Sequence, residues 1–321
     1  FTPKLRVLEW TGSRRAGLLG QLAEVEVVLI SYPLLGRDIE TLSTRRWSAV
    51  VCDESQLIRN PATLAARALR RLDAGQRLCL TGTPLENHLG ELWAQYDFLL
   101  PGLLGGRAQF NRLWRAPVER RRDRDATRRL QRLLKPFLLR RTKDQVVRDL
   151  PPKSLILRSI ELEGRQRELY EALRVHLSRE LGAVVGERGA DRARIQVLDA
   201  LLKLRQICCD PRLLPAPLGQ GIEASAKLSR LLVMLEALIS EGRRVLVFSQ
   251  FTSMLALIEQ ALQARKIRYA LLTGQTEDRD APVRRFQAGE VPVFLLSLKA
   301  GGYGLNLTAA DTVMHYDPLW N

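Results

Sequence analysis

Groups that staple a fold or ligate a metal are scarce in this sequence. The four cysteines, Cys52, Cys79, Cys208 and Cys209, form no CxxC pair, and the three histidines, His88, His176 and His315, are scattered. Neither a disulfide framework nor a zinc site is indicated, so a reducing cytoplasm is the expected compartment. No run of about 18 uninterrupted apolar residues occurs, which excludes a membrane-spanning helix. The opening Phe1-Thr-Pro-Lys-Leu has no initiator methionine and no signal-peptide pattern, and reads as the middle of a longer chain.

Acidic residues are also in short supply: 35 Asp and Glu stand against 50 Lys and Arg, a net charge of +15 with a pI near 10.3. Such a balance favours a polyanionic partner, because Lys and Arg that neutralise phosphates release counterions. A basic surface that binds nothing is the competing explanation. The 321 residues suffice for two domains, and 46% hydrophobic with 26% charged residues is a globular composition.

Short apolar runs alternate with helical patterns near both ends. Residues 25–30, 47–52, 77–80, 245–248 and 291–296 read as strands, and continuous Val/Ile/Leu runs suit parallel strands covered on both faces. Over 227–240, Leu228, Leu231, Leu232, Leu235, Leu238 and Ile239 form one helical stripe, with Gly242 placed to cap its end. From Pro101 to about Pro211 strand signals nearly vanish. Residues 101–160 hold 17 Lys/Arg against 5 Asp/Glu, a net +12. A loop-like cluster, Pro211-Arg-Leu-Leu-Pro215-Ala-Pro217, marks a second boundary. The expected outline is α/β: a first lobe over 1–100, a basic helical insertion over 101–222 and a second lobe over 223–321.

In Ser48-Ala-Val-Val-Cys-Asp-Glu-Ser-Gln-Leu57 an apolar strand runs into two adjacent carboxylates. Functional groups of open α/β sheets gather at the carboxyl ends of strands, and alternation aims consecutive side chains differently. Asp53 could then hold a hard cation while Glu54 polarises a nucleophilic water. A solvent-facing acid pair opening a loop explains the same letters, and the pair alone does not decide. Downstream, Thr81-Gly82-Thr83-Pro84 follows another strand end. Hydroxyls on such a turn could relay the state of a bound phosphate, while an N-cap at Thr83 with Pro84 at the first helical position is an equally good account.

Together with "FLLRRTKDQVVRDLPPK" (137–153), these segments resemble the SWI/SNF-type helicase-like ATPases of superfamily two. "DESQ" resembles that family's Walker B motif and "LTGTPLEN" its third helicase motif. "LLKLRQICCDPRLL" (201–214) resembles the family signature after its helical protrusions. "VLVFSQFTSML" resembles motif IV, and "SLKAGGYGLNLTAADTVMHYDPLWN" (297–321) resembles motif V and its extension. The likeness covers nearly the whole chain, in family order and spacing.

The resemblance implies two RecA-like lobes, each a parallel sheet flanked by helices, with the basic helical insertion between them. It implies an ATP-dependent translocase or remodelling motor on double-stranded DNA. ATP and Mg²⁺ are the cofactors, and the motor would work as a monomer on DNA, away from membranes, with a protein partner reached through the insertion. By the same likeness Asp53 would position Mg²⁺, Glu54 would activate water, and Gln56 would couple the nucleotide to the other lobe. Thr81 and Gly82 match the coupling motif, and Gly304, Asn306 and Asp311 match motif V positions nearer the nucleotide. Ser31 and Tyr32, Ser297, Lys299 and Gly301, and Trp320 match DNA-facing positions. Gly12 weakly resembles an earlier DNA-contacting motif; a lone glycine is more often a turn. Glycines around Lys299 suit an anion-binding concavity for a DNA phosphate.

Two family features are missing from these residues: no G-x-x-x-x-G-K-[ST] loop occurs, and neither does motif VI with its arginine finger. They are expected upstream of Phe1 and beyond Asn321. An arginine finger alone contributes on the order of 10³–10⁵ in rate, so these 321 residues by themselves are not expected to turn over ATP. A non-catalytic DNA-binding or scaffold role, or a strand-separating DNA or RNA helicase, are the alternatives. The compartment would be a bacterial cytoplasm or nucleoid, or a nucleus if the source is eukaryotic.

Overall fold

The computed structural model describes residues 4–12, 15–83, 88–146, 153–187, 190–216, 218–219, 221–222, 225–301 and 305–318. It is α/β with parallel sheets, and it divides into two compact units, Phe1–Pro152 and Lys153–Asn321.

In the first unit, β1 (Val7–Glu9) pairs in parallel with β2 (Val27–Leu29), and β3 (Arg46–Cys52) pairs in parallel with β4 (Asp73–Cys79). Strand alternation sends Leu8, Trp10, Val28, Val50, Cys52 and Cys79 into one core. That core is completed by Leu35 and Ile39 of α1 (Tyr32–Leu42), Ala66 and Leu69 of α2 (Leu64–Arg71) and Phe98 of α3 (Leu89–Leu99). The other set of alternating positions is open: Val7, Leu29, Val51 and Leu78 are each at least half exposed. Cover on both faces, expected from the apolar runs, is therefore not found here among the described residues. The helices of this unit pack with the inward set, and no described layer stands over the rest.

The first part of the basic region packs with this unit. Leu89 and Trp93 of α3 share a second core with Phe110 of α4 (Arg107–Phe110) and with Leu130 and Leu134 of α5 (Arg124–Leu134). Between α4 and α5, residues Asn111–Arg120 widen into a π-helical turn around Pro117. A proline mid-helix lacks an N–H and crowds the preceding turn, and the longer Arg121 N–H to Ala116 carbonyl bond (3.3 Å) accommodates it. On α5, Ala126, Leu130 and Leu134 are buried while Arg128, Arg129 and Arg132 face solvent. A short helix, α6 (Lys143–Val146), follows.

The second unit starts with an extended stretch and two long helices, α7 (Gly164–Glu187) and α8 (Ala190–Cys209), which share Leu173, Leu177, Ala200 and Ile207 as core. Buried Gln166 ties them to the next helix: its Nε2 donates to the Ile207 carbonyl (2.7 Å) and its Oε1 accepts from Ala226 N–H (3.0 Å). That helix, α9 (Ala226–Ser240), buries the expected stripe. Gly242 ends it at φ +77, with Gly242 N–H bonded to the Ile239 carbonyl and Arg243 N–H to the Leu238 carbonyl, the paired bonds of a Schellman cap.

Four parallel strands follow: β5 (Val245–Ser249), β6 (Tyr269–Leu272), β7 (Val293–Ser297) and β8 (Thr312–His315), in the order β6-β7-β5-β8. Here both faces are covered. Val293 and Leu295 enter a core with α9 and with α10 (Thr252–Ala264), while Phe294 and Leu296 enter another with Phe286 of α11 (Asp280–Gln287). Strands β1, β6 and β8 are three or four residues long, too short to show a period in the sequence. A one-turn helix, α12 (Leu298–Gly301), closes β7.

One ion pair fastens the start of the chain to α1. Asp38 accepts from Trp10 Nε1 (2.8 Å) and from Arg15 Nη2 (3.0 Å), and Arg15 Nη1 reaches the Gly12 carbonyl (2.9 Å). Arg15 holds the Asp38 carboxyl below its usual range. Because the native pKa is the depressed one, this stabilisation is present above the ordinary aspartate range and lost as pH falls through the native value. Replacing Asp38 with Asn should lower stability at pH 7 by about 1–2 kcal/mol. Urea unfolding across pH 2–7 should show the gap to the unsubstituted chain closing as Asp38 protonates.

Candidate functional site

The ends of β3 and β4 lie side by side, with Cys52 in register with Cys79. Pairing continues past the strands: Leu80 N–H donates to the Cys52 carbonyl (2.8 Å) and Ser55 N–H donates to the Leu80 carbonyl (2.9 Å). These bonds bring the two motif loops together. Thr81 Oγ1 donates to Gln56 Oε1 (2.7 Å), and Gln56 Nε2 donates to Glu54 Oε2 (2.6 Å). Three sequence-predicted residues thus form one continuous relay. Thr81 Oγ1 also accepts from Thr83 N–H (3.1 Å).

Glu54 sits in left-handed backbone at φ 49 and ψ 48. For a residue with a Cβ that conformation costs roughly 1–2 kcal/mol and concentrates at functional sites. The turn is held by its neighbours: Asp53 Oδ1 accepts from Glu54 N–H (2.9 Å), and Ser55–Ile58 coil into a 3₁₀ turn. Tyr32 braces it from α1, its hydroxyl donating to the Asp53 carbonyl (2.6 Å), and burial pushes that hydroxyl's pKa well up. Ser31 precedes α1 at its N-cap position without a side-chain cap bond. Gly82 is exposed, and a methyl group added there would meet nothing within 4 Å among the described residues.

Beneath this relay lie the thiols of Cys52 and Cys79. The neighbouring Cys79 and burial push the Cys52 thiol's pKa up, while Cys52 lowers that of Cys79. Ser55 Oγ is fully buried and has no hydrogen-bond partner among the described residues.

In the second unit, Ser297 ends β7 and its Oγ accepts from Ala300 N–H (3.2 Å), shaping α12. Lys299 projects from this turn into solvent. Gly301 is required by packing: a Cβ there would stand 2.5 Å from Phe248 Cε1. Gly302, Gly304 and Trp320 lie outside the described residues. Asp311 stands elsewhere, at the amino ends of the strands, where it accepts from Arg244 N–H (3.3 Å) and Thr312 Oγ1 (2.6 Å). Asn306 lends its carbonyl to Gln287 Nε2 (2.7 Å) on α11. The structure therefore gathers Ser297, Lys299 and Gly301 at one strand end and keeps Asp311 at the opposite edge of the sheet.

Asp317, which no sequence motif singled out, joins that carboxyl edge just after β8. It is buried, accepts from Gln250 N–H (3.0 Å), and has its pKa raised by burial. Asp53 was legible because it directly follows a strand seen in the sequence, whereas the four-residue β8 before Tyr316 and Asp317 gave no such signal. No described helix is long and apolar enough to cross a membrane.

Paired acids and a coupled hydroxyl turn at parallel strand ends, followed by a second parallel α/β unit, define a helicase-like class of protein. Family models agree: the SNF2-related domain matches residues 1–213 and the helicase conserved C-terminal domain matches residues 226–321. The chain belongs to the SNF2-related family. It is 36% identical to the Bacillus subtilis protein YwqA over its full length, covering 36% of that protein. It is 34% identical to the ISWI chromatin-remodeling complex ATPase ISW1 of Saccharomyces cerevisiae, with 95% of this chain and 28% of that protein aligned. A solved Sulfolobus solfataricus SWI2/SNF2 ATPase core in complex with dsDNA is 32% identical, at a TM-score of 0.46 over 98% of this chain and 66% of that one. The chain spans about a third of the length of the curated relatives it matches.

The packing at Gly301 sets an expectation for stability. Gly301→Ala should destabilise the second unit by about 1–3 kcal/mol, since Phe248 is packed between strands and has to shift. Gly82→Ala should change stability by less than about 0.5 kcal/mol. Thermal unfolding of both variants checks the contrast.

Proposed function

We propose that this chain is part of an ATP-dependent motor that moves along double-stranded DNA. The observation that carries the reading is the Thr81–Gln56–Glu54 relay, which joins the ends of β3 and β4 by side-chain hydrogen bonds. Glu54 has one carboxylate oxygen fixed by Gln56, and its Oε1 has no partner among the described residues. It is thereby oriented to accept a proton from an attacking water. Thr81 belongs to the same hydrogen-bond chain, so a change at the nucleotide would reach the second motif, where Gly82 follows it, without a break.

Asp53 and Glu54 supply hard carboxylate oxygens suited to Mg²⁺, and Asp53 would hold it. The described residues contain no cluster of three or more such groups, so the other ligands would be water and nucleotide phosphate, as this ion prefers. Bound there, Mg²⁺ would neutralise charge developing on the phosphates.

On the DNA side we assign Lys299, Ser297 and Gly301, with Ser31 and Tyr32 in the first unit and Trp320 beyond the described residues. Tyr32 would act through the Asp53 carbonyl it holds. Gly304, Asn306 and Asp311 are assigned to nucleotide coupling, Asp311 by keeping the β8 edge in place. The helices of 101–222, with arginines such as Arg128, Arg129 and Arg132 on the solvent face of α5, would bear on the phosphate backbone or on a protein partner. Such contacts carry no base information, so sequence preference should be slight.

In the full-length protein, Glu54→Gln should abolish duplex-stimulated phosphate release while nucleotide binding persists, because the amide keeps shape but cannot take a proton. Steady-state phosphate release with a parallel nucleotide-binding titration checks this, and turnover at the unsubstituted rate would remove Glu54 from the role. Duplex affinity should fall with salt at a log–log slope of about 0.9 per phosphate contacted, nearly equally for two unrelated sequences. Lys299→Ala should lower that slope by about one.

A further inference from the structure

Cys52 and Cys79 are the last residues of β3 and β4 and face each other in the parallel register. In-register neighbours on adjacent strands point to the same face, and both side chains turn into the same core. Adjacent strands run about 4.8 Å apart, inside the roughly 4.4–6.8 Å between α-carbons that a disulfide spans, while the parallel Cα–Cβ bonds leave the β-carbons just beyond the roughly 3.5–4.5 Å it prefers. Cys52 is 3% exposed, whereas Cys79 is partly exposed. The register makes the two side chains neighbours across the ladder, at the point where both strands end.

We propose that Cys52 and Cys79 form an oxidation site, closed by peroxide into a disulfide that staples β3 to β4 directly beneath the Asp53–Thr81 loops. The two sulfurs have different tasks. Cys79, the more accessible of the two, attacks the peroxide oxygen; the O–O bond breaks, a sulfenic acid forms and water leaves. The Cys52 sulfur then attacks the Cys79 sulfur, the S–OH bond breaks and a second water leaves. Two thiols lose two electrons and two protons, and one peroxide becomes two waters. The other cysteines lack this arrangement: Cys208 and Cys209 are successive residues at the end of α8 rather than partners across two strands, and burial raises the pKa of both, the latter to about 12. A bond closed directly across neighbouring strands is strained, and strained disulfides are the readily reduced ones, so the staple should be reversible.

The test starts from the reduced, unsubstituted chain, treated with a small excess of hydrogen peroxide, quenched with an alkylating agent and mapped by mass after trypsin. The expected product is one intrachain link joining the Cys52 and Cys79 peptides, reversed by dithiothreitol. In Cys52→Ser, dimedone should capture a sulfenic acid at Cys79 at several times the level seen in the unsubstituted chain. In Cys79→Ser, Cys52 should remain alkylatable. Oxidation of Cys208 or Cys209 while Cys52 and Cys79 stay reduced would overturn the proposal, as would links formed only between chains. The first readout needs no variant and so does not depend on how either substitution folds.

Discussion

The parallel pairing of β3 with β4 is the constraint on which the candidate site depends. Neither strand carries a complete functional group by itself. Asp53 and Glu54 leave one strand and Thr81 leaves the other, and only the ladder bonds at Cys52, Leu80 and Ser55 bring Gln56 within 2.7 Å of Thr81. The left-handed backbone at Glu54 belongs to the same arrangement. It is an unfavourable conformation in isolation and persists because Leu80, Gln56 and Tyr32 hold the turn from three sides.

The two units treat their sheets differently. In the second, alternate residues of β7 enter two separate cores, and the strand is buried throughout. This buried layer ends in the single helical turn that carries Lys299, which begins at Ser297 and closes at Gly301, where Phe248 leaves no room for a side chain. In the first unit one face of the strands is packed and the other is open to solvent, with Val51 56% and Leu78 51% exposed. The open face and the relay share the same strands, so the residues that position Glu54 belong to a sheet covered on one side only among the described residues.

The long helices and buried strands were readable because their apolar periods were long. The α9 stripe from Leu228 to Leu235 and the glycine cap at Gly242 are examples, as are β5 and β7. The short strands β1, β6 and β8 were not, because each is shorter than any period that could announce it, whereas the equally short β2 was read through the longer apolar run around it. Asp317 went unread for that reason: without β8 in view, its place at the carboxyl edge beside Gln250 has no meaning. Asp311 was read by likeness to a motif, and the fold sets it at the far edge of the sheet, engaged with Arg244 and Thr312.

Residue chemistry by itself determined the α/β class, the concentration of positive charge in residues 101–160 and the acids placed at a strand end. Those properties are local: they follow from side-chain type and spacing along a few turns or one strand. Which groups meet was decided only by tertiary structure. Gln56 and Thr81 are 25 positions apart, Tyr32 and Asp53 are 21 apart, and Cys52 and Cys79 face each other only because the strand register places them so. Register depends on how buried side chains from several elements pack at once, and no single segment of the sequence contains that information.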